Sequence, residues 1–135
     1  MKNLMMHPKT VTGMLHNMGL NEHSMAILLV IALVKTSLAE EIFFRGFLGK
    51  RLVKKLGFAQ GNVFQALIFG FVHLLLFIVI GASTGLCIFI FLFSSLAGWT
   101  VGYVKEKRAG GSILPGWLAH GLGNSISYYL IAYVL

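Results

Sequence analysis

The sequence predicts an all-α fold, a polytopic transmembrane helical bundle of about four spans behind a short N-terminal leader, and three observations predict it. Apolar residues make up 57% of the 135-residue chain and mean hydropathy is +0.83, above the roughly 45–50% apolar usage of an average soluble domain. They gather into four stretches, each near the ~20 residues that a helix needs to cross about 30 Å of hydrocarbon. The 11 Lys and Arg residues fall mostly in short clusters between those stretches. Such a length suits one domain.

Residues 1–23 form the expected leader, amphipathic and loosely structured, without the short apolar core and small-residue cleavage site of a signal peptide. His7, His16 and His23 lie in it and are expected to be solvated. Residues 24–135 form the expected membrane core, with spans at 24–48, 62–80, 85–104 and 113–134. The connector 49–61 carries Lys50, Arg51, Lys54 and Lys55, and the connector 105–112 carries Lys105, Lys107 and Arg108, whereas 81–84 is uncharged. In a four-span arrangement the two basic connectors share a side. The basic-loop rule places that side in the cytoplasm and both termini outside, with Lys2 and Lys9 as modest opposing charges. Gly57/Gly61, Gly81/Gly85 and Gly98/Gly102 have the spacing that lets membrane helices approach closely, and only the last pair sits well inside a span. Cys87, the single cysteine, lies in an apolar run and reads as a small buried hydrophobe.

The net charge of +7 is therefore a topology signal. No basic face interleaved with aromatic residues is present to bind nucleic acid. All four acidic residues are Glu, and the chain has no Asp.

Polar groups interrupt three of the four spans. The first carries Glu40, Glu41 and Arg45, and an ionisable group at bilayer depth costs at least about 2.5 kcal/mol on insertion scales. Glu41 and Arg45, four apart, share a helix face and can pair, while Glu40 projects about 100° away. The second span carries His73, and the fourth carries His120 and Asn124, again four apart. Counted at 1.5 Å per residue from the cytoplasmic ends, Glu40, His73 and His120 lie roughly 10–18 Å deep and can meet at one level. Packing alone explains any one of these residues more easily than it explains all of them together.

Such a cluster suits peptide hydrolysis, which needs an activated water and a stabiliser for the tetrahedral oxyanion. Glu40 and His73 can hold and deprotonate the water, His120 and Asn124 can donate to the oxyanion, and Glu41 with Arg45 can fix the helix that carries the base. The same atoms permit a zinc site of Glu40, His73 and His120 with an open position for water, although no HExxH motif is present. An aspartyl pair is impossible without Asp. Gly81-Ala82-Ser83-Thr84-Gly85 matches GxSxG but lies in a connector between spans, not at a strand-to-helix elbow.

The order Glu40-Glu41-x-x-x-Arg45, Phe69-x-x-x-His73, His120-x-x-x-Asn124, each within an apolar helix, resembles the CPBP family of intramembrane proteases. That family includes CAAX prenyl endopeptidases and bacterial bacteriocin-processing or self-immunity proteins. Phe44-Arg45-Gly46-Phe47-Leu48, Gln65-Ala66-Leu67-Ile68-Phe69 and Gly111-Ser112-Ile113-Leu114-Pro115 add to a likeness that covers about residues 37–128. The resemblance implies catalytic roles for Glu40, Glu41, Arg45, His73, His120 and Asn124 and a multi-pass protein of the bacterial cell membrane whose site opens toward the cytoplasm. It also implies a peptide or protein substrate, either a prenylated CAAX-type C-terminus or a secreted peptide or bacteriocin. Family members are described both as zinc enzymes and as metal-independent glutamate proteases, so Zn2+ stays open. The competing expectation is a non-catalytic immunity or binding protein that uses the same cluster to hold a partner. An ion or proton relay would need more stations than one carboxylate and two imidazoles. The expected partners are membrane lipid and a peptide substrate, with oligomeric state left open.

Overall fold

A computed structural model describes residues 6–135; the first five residues of the expected leader lie outside the described residues. Among the described residues every regular element is helical. In order they are α1 (Val11–Met18), α2 (Glu22–Leu29), wide π-helical stretches at Val30–Leu38 and Glu41–Gly49, α3 (Lys50–Leu56), α4 (Phe58–Val79), α5 (Thr84–Lys107), α6 (Leu114–Tyr129) and a π-helical end at Leu130–Val134. The chain divides into two compact units: Met1–Ala39 with Trp117–Leu135, and Glu40–Gly116. α4 and α5 are each long and apolar enough to cross a membrane. The expected first and fourth spans are helical as well, but α and π stretches share them, so neither is one uniform helix.

The second unit inverts the burial pattern of a water-soluble helix. α4 buries Gly61, Asn62, Gln65, Ala66, Phe69 and Gly70 and exposes Phe64, Leu67, Ile68 and Phe71. In lipid, burying a leucine gains nothing, because the solvent is as apolar as the core. Helices are then held by close approach over small residues and by side-chain hydrogen bonds.

With His73, these six positions make two parallel stripes. Gly61, Gln65, Phe69 and His73, spaced by four, meet Val53, Gly49, Phe44 and Glu40 on the helix before α4: a Cβ on Gly61 would strike the Val53 backbone, Gly49 lies against Gln65, Phe44 packs edge-on to Phe69, and Glu40 faces His73. One position further on, Asn62, Ala66 and Gly70 meet Gly102, Gly98 and Ser95 of α5. Each pair advances four residues on one helix while retreating about four on the other, as antiparallel packing requires. Gly98/Gly102 is thus the close-approach pair that its spacing predicts. Gly57, at φ 78°, reverses the chain between α3 and α4. Lys107 Nζ lies 4.6 Å from the Phe58 ring centroid, which brings the basic end of α5 beside the start of α4.

In the first unit, Thr10 caps α1 by accepting from Gly13 N at 3.0 Å, and Asn21 with Ser24 forms a reciprocal cap on α2. Leu15, Leu28 and Ala132 are essentially fully buried, with Tyr128, Tyr129 and Tyr133 packed around them. The leader expected to be loosely structured therefore contains an ordered helix, because Leu15 has an apolar core to enter. His16 is exposed, in keeping with the expectation, and it also donates from Nδ1 to the Ala132 carbonyl at 2.7 Å.

Candidate active site

Glu40 and Glu41 open the second unit side by side and meet different surroundings. Glu41 is fully buried and pairs with Arg45 at 3.0 Å, Arg45 itself being 2% exposed. The guanidinium lies 4.2 Å over the Phe69 ring, which also meets the edge of Phe44 at 4.9 Å and the His73 ring at 4.3 Å between centroids. Cation–π contact of this kind contributes about 2 kcal/mol when desolvated. Gly116 completes the enclosure, since a Cβ there would stand 2.8 Å from Glu41 Oε2. The sequence places a charged pair on one helix face; packing makes it a pin between three segments.

Glu40 turns to α4 instead. Its Oε2 lies 3.9 Å from His73 Nε2, with both side chains about a quarter exposed. His73 Nδ1 contacts the carbonyl of Phe69 at 2.9 Å, and a carbonyl only accepts, so Nδ1 carries the proton. In the neutral ring Nε2 is then an acceptor aimed at a carboxylate oxygen, itself an acceptor. Two acceptors 3.9 Å apart are too distant to bond directly. A molecule bonded to both must donate twice, and water has the two protons required; Glu40 Oε2 itself is buried. Phe69 serves both halves of the arrangement: its ring lies under Arg45 and its carbonyl sets the His73 tautomer.

Sequence reasoning missed the amides below. Asn62 Nδ2 donates to Trp99 O at 3.0 Å, and Gln65 Nε2 donates to Gly98 O at 2.8 Å and to Asn62 Oδ1 at 3.0 Å. Both residues are 2% exposed. The available signal was register: 62, 65/66, 69/70 and 73 follow one face of a helix.

His120 and Asn124 lie on α6 in the first unit, both half-buried. Asn124 Nδ2 donates to Ser37 Oγ at 3.0 Å, and Ser37 is fully buried. Trp117 Nε1 donates to Leu33 O at 2.7 Å, so two hydrogen bonds tie α6 to the 30–38 stretch. Ser37, three residues before Glu40, went unread because it carries no charge. The structure thus brings Glu41 to Arg45 and Glu40 to His73 within one unit, and Asn124 to Ser37 within the other.

A catalytic zinc takes three protein ligands and an open position. Glu40 and His73 could supply two, and His120, the third donor that the sequence offers, belongs to the other unit. Ser83 of the GxSxG match accepts from Leu86 N at 3.4 Å as the N-cap of α5. That is a structural task, in agreement with reading the match as accidental.

A protein-family model described as type II CAAX prenyl endopeptidase Rce1-like matches residues 22–126. No curated protein and no solved structure matches the chain.

Proposed function

Because the chain belongs to the Rce1-like family of type II CAAX prenyl endopeptidases, a group of intramembrane proteases, we propose that it cleaves a peptide bond with a water held between Glu40 and His73. The observation that carries this reading is the 3.9 Å separation of Glu40 Oε2 and His73 Nε2, with the His73 tautomer fixed by Phe69. A water placed there donates one proton to each acceptor and presents a lone pair outward. As it attacks the scissile carbonyl carbon, Glu40 takes its proton, and the C–O bond forms as the carbonyl becomes an oxyanion. The motif order assigns donation to that oxyanion to His120 and Asn124. Collapse of the intermediate breaks the C–N bond, and the proton on Glu40 passes to the leaving amine. Glu41, Arg45 and Phe69 act as positioning residues behind the two reacting groups.

We further propose that the apolar stretches at 24–48, 62–80, 85–104 and 113–134 all span the membrane. The clustering of Lys50, Arg51, Lys54, Lys55, Lys107 and Arg108 on the connectors beside α4 and α5 supports a cytoplasmic opening. The substrate is a C-terminal peptide of apolar, lipid-partitioning character, such as a prenylated CAAX segment, since lateral entry from the bilayer requires one.

The test is cleavage of a prenylated peptide and its unprenylated counterpart by the detergent-purified chain, with and without chelator. Turnover that survives chelation and falls about a thousandfold in Glu40→Gln supports the water mechanism. Full activity of Glu40→Gln overturns it. Loss on chelation that only added zinc restores replaces it with a metal mechanism.

A further inference from the structure

A groove of about 500 Å³ opens on another side of the same helix, lined by Ile42, Gly46, Phe47, Lys50, Arg51, Lys105, Gly111 and Ile113. Its volume falls within the range of small-ligand sites, and every lining residue belongs to the second unit. Two kinds of surface meet in it. Ile42, Gly46, Phe47 and Ile113 form an apolar floor, on which Ile42 and Phe47 are about half exposed. Lys50, Arg51 and Lys105 form one cationic end, with no carboxylate in the lining.

The three cations differ in what they have left to offer. Lys105 is buried and its ammonium is held by Glu106. Lys50 and Arg51 are exposed, and among the described residues neither forms an ion pair. The Arg51 guanidinium stacks on the Phe47 ring at 3.6 Å and donates Nη1 to the Phe47 carbonyl at 3.3 Å. It is therefore fixed in place with donors to spare, and a pre-ordered guanidinium suits a phosphate. Gly111, at φ 86°, closes the wall through a bond from its N to Lys105 O at 2.8 Å.

We infer that this groove binds an acidic phospholipid, its phosphate on Lys50 and Arg51 and one acyl chain along Ile42, Gly46 and Phe47. Charge complementarity selects the headgroup, and the apolar floor ending in cations at a membrane-facing helix selects a lipid over a free anion. The inference rests on membrane embedding and not on the proteolytic reading, so either can fail alone.

Native mass spectrometry of the detergent-purified full chain, titrated with phosphatidylglycerol or phosphatidylcholine, tests it. Phosphatidylglycerol is expected to bind at least about tenfold more tightly, and the preference to disappear in Lys50→Ala/Arg51→Ala. Lys54→Ala/Lys55→Ala removes the same charge outside the groove and is expected to keep it. Gly46→Leu fills the floor without touching a charge. A Cβ at Gly46 meets only Glu41 O at 3.8 Å; the variant is expected to weaken phosphatidylglycerol by a similar factor, with an unchanged melting temperature in detergent as the check that it folds. Equal losses in the two charge pairs, or undiminished binding by Gly46→Leu, overturn the site in favour of diffuse attraction. Displacement of the lipid by equimolar inorganic phosphate overturns the lipid and leaves an anion site.

Discussion

Glu40 and Glu41 are the same side chain at adjacent positions, and the two faces of the helix they occupy have opposite characters. On the Glu41 face everything is closed: the carboxylate is fully buried, its cation four residues on is 2% exposed, and a phenyl ring covers the cation. On the Glu40 face the carboxylate and its imidazole partner are about a quarter exposed and stand 3.9 Å apart, beyond direct hydrogen-bond distance. One acid is closed off with its counter-ion, while the other, part-exposed beside an imidazole, is the one to which the proposed reading gives the chemistry. Burial and partner distance separate the roles, which residue type alone does not.

That contrast breaks most visibly if the two acids are neutralised in turn. Glu41→Gln leaves Arg45 charged and buried without its counter-ion, and loss of one member of a buried pair costs about 3–5 kcal/mol. The melting temperature in detergent should fall steeply, and turnover per folded molecule should fall by less than in Glu40→Gln. Glu41→Gln/Arg45→Met should recover much of that stability, because the uncompensated charge is gone. Glu40→Gln should do the reverse, abolishing turnover with the melting temperature nearly unchanged. A Glu41→Gln chain that melts like the parent would place its carboxylate outside the stabilising network.

A smaller effect is expected where α4 meets α5. A Cβ on Gly102 would collide with Asn62 Oδ1 and stand 2.9 Å from Gln65 Nε2, so Gly102→Ala forces the amide pair apart. Overpacking of this kind costs about 1–3 kcal/mol. Gly85→Ala, which meets nothing within 4 Å, is the matched control and should be nearly neutral. Equal melting of the two variants would mean that the amides relax without loss.

The charges and the small-residue pair were readable in the sequence because each is costly or rare in an apolar segment, so Glu41/Arg45 and Gly98/Gly102 announce their packing. The all-helical fold follows from the same apolar runs. Asn62 and Gln65 were harder to read: neutral amides near a span boundary look like ordinary connector residues until the four-residue register with Phe69 and His73 is laid out. The partner of His73 Nδ1 was not legible at all, since it is a backbone carbonyl with no side-chain signature. The order of α1 was misread for a related reason. Its few apolar residues make a weak pattern alone, and Leu15 is buried because Leu28 and, more than a hundred positions later, Ala132 with its neighbouring tyrosines supply the rest of the core.

The first unit offers the gentlest test of the same contrast, because one of its polar contacts, from His16 to Ala132, lies at an edge and not in the interior. Ala132 sits in the last helical turn, where carbonyls run out of backbone donors, and the exposed His16 ring supplies one at 2.7 Å. A single partly exposed hydrogen bond contributes about 1 kcal/mol. His16→Ala should therefore speed amide exchange in Val11–Met18 by about fivefold while leaving α4 and α5 unchanged. His16→Asn, which keeps a donor but shortens the reach, should fall between the two. If exchange in α1 stays at the parent rate, burial of Leu15 alone holds the helix, and the imidazole adds nothing to that end of the chain.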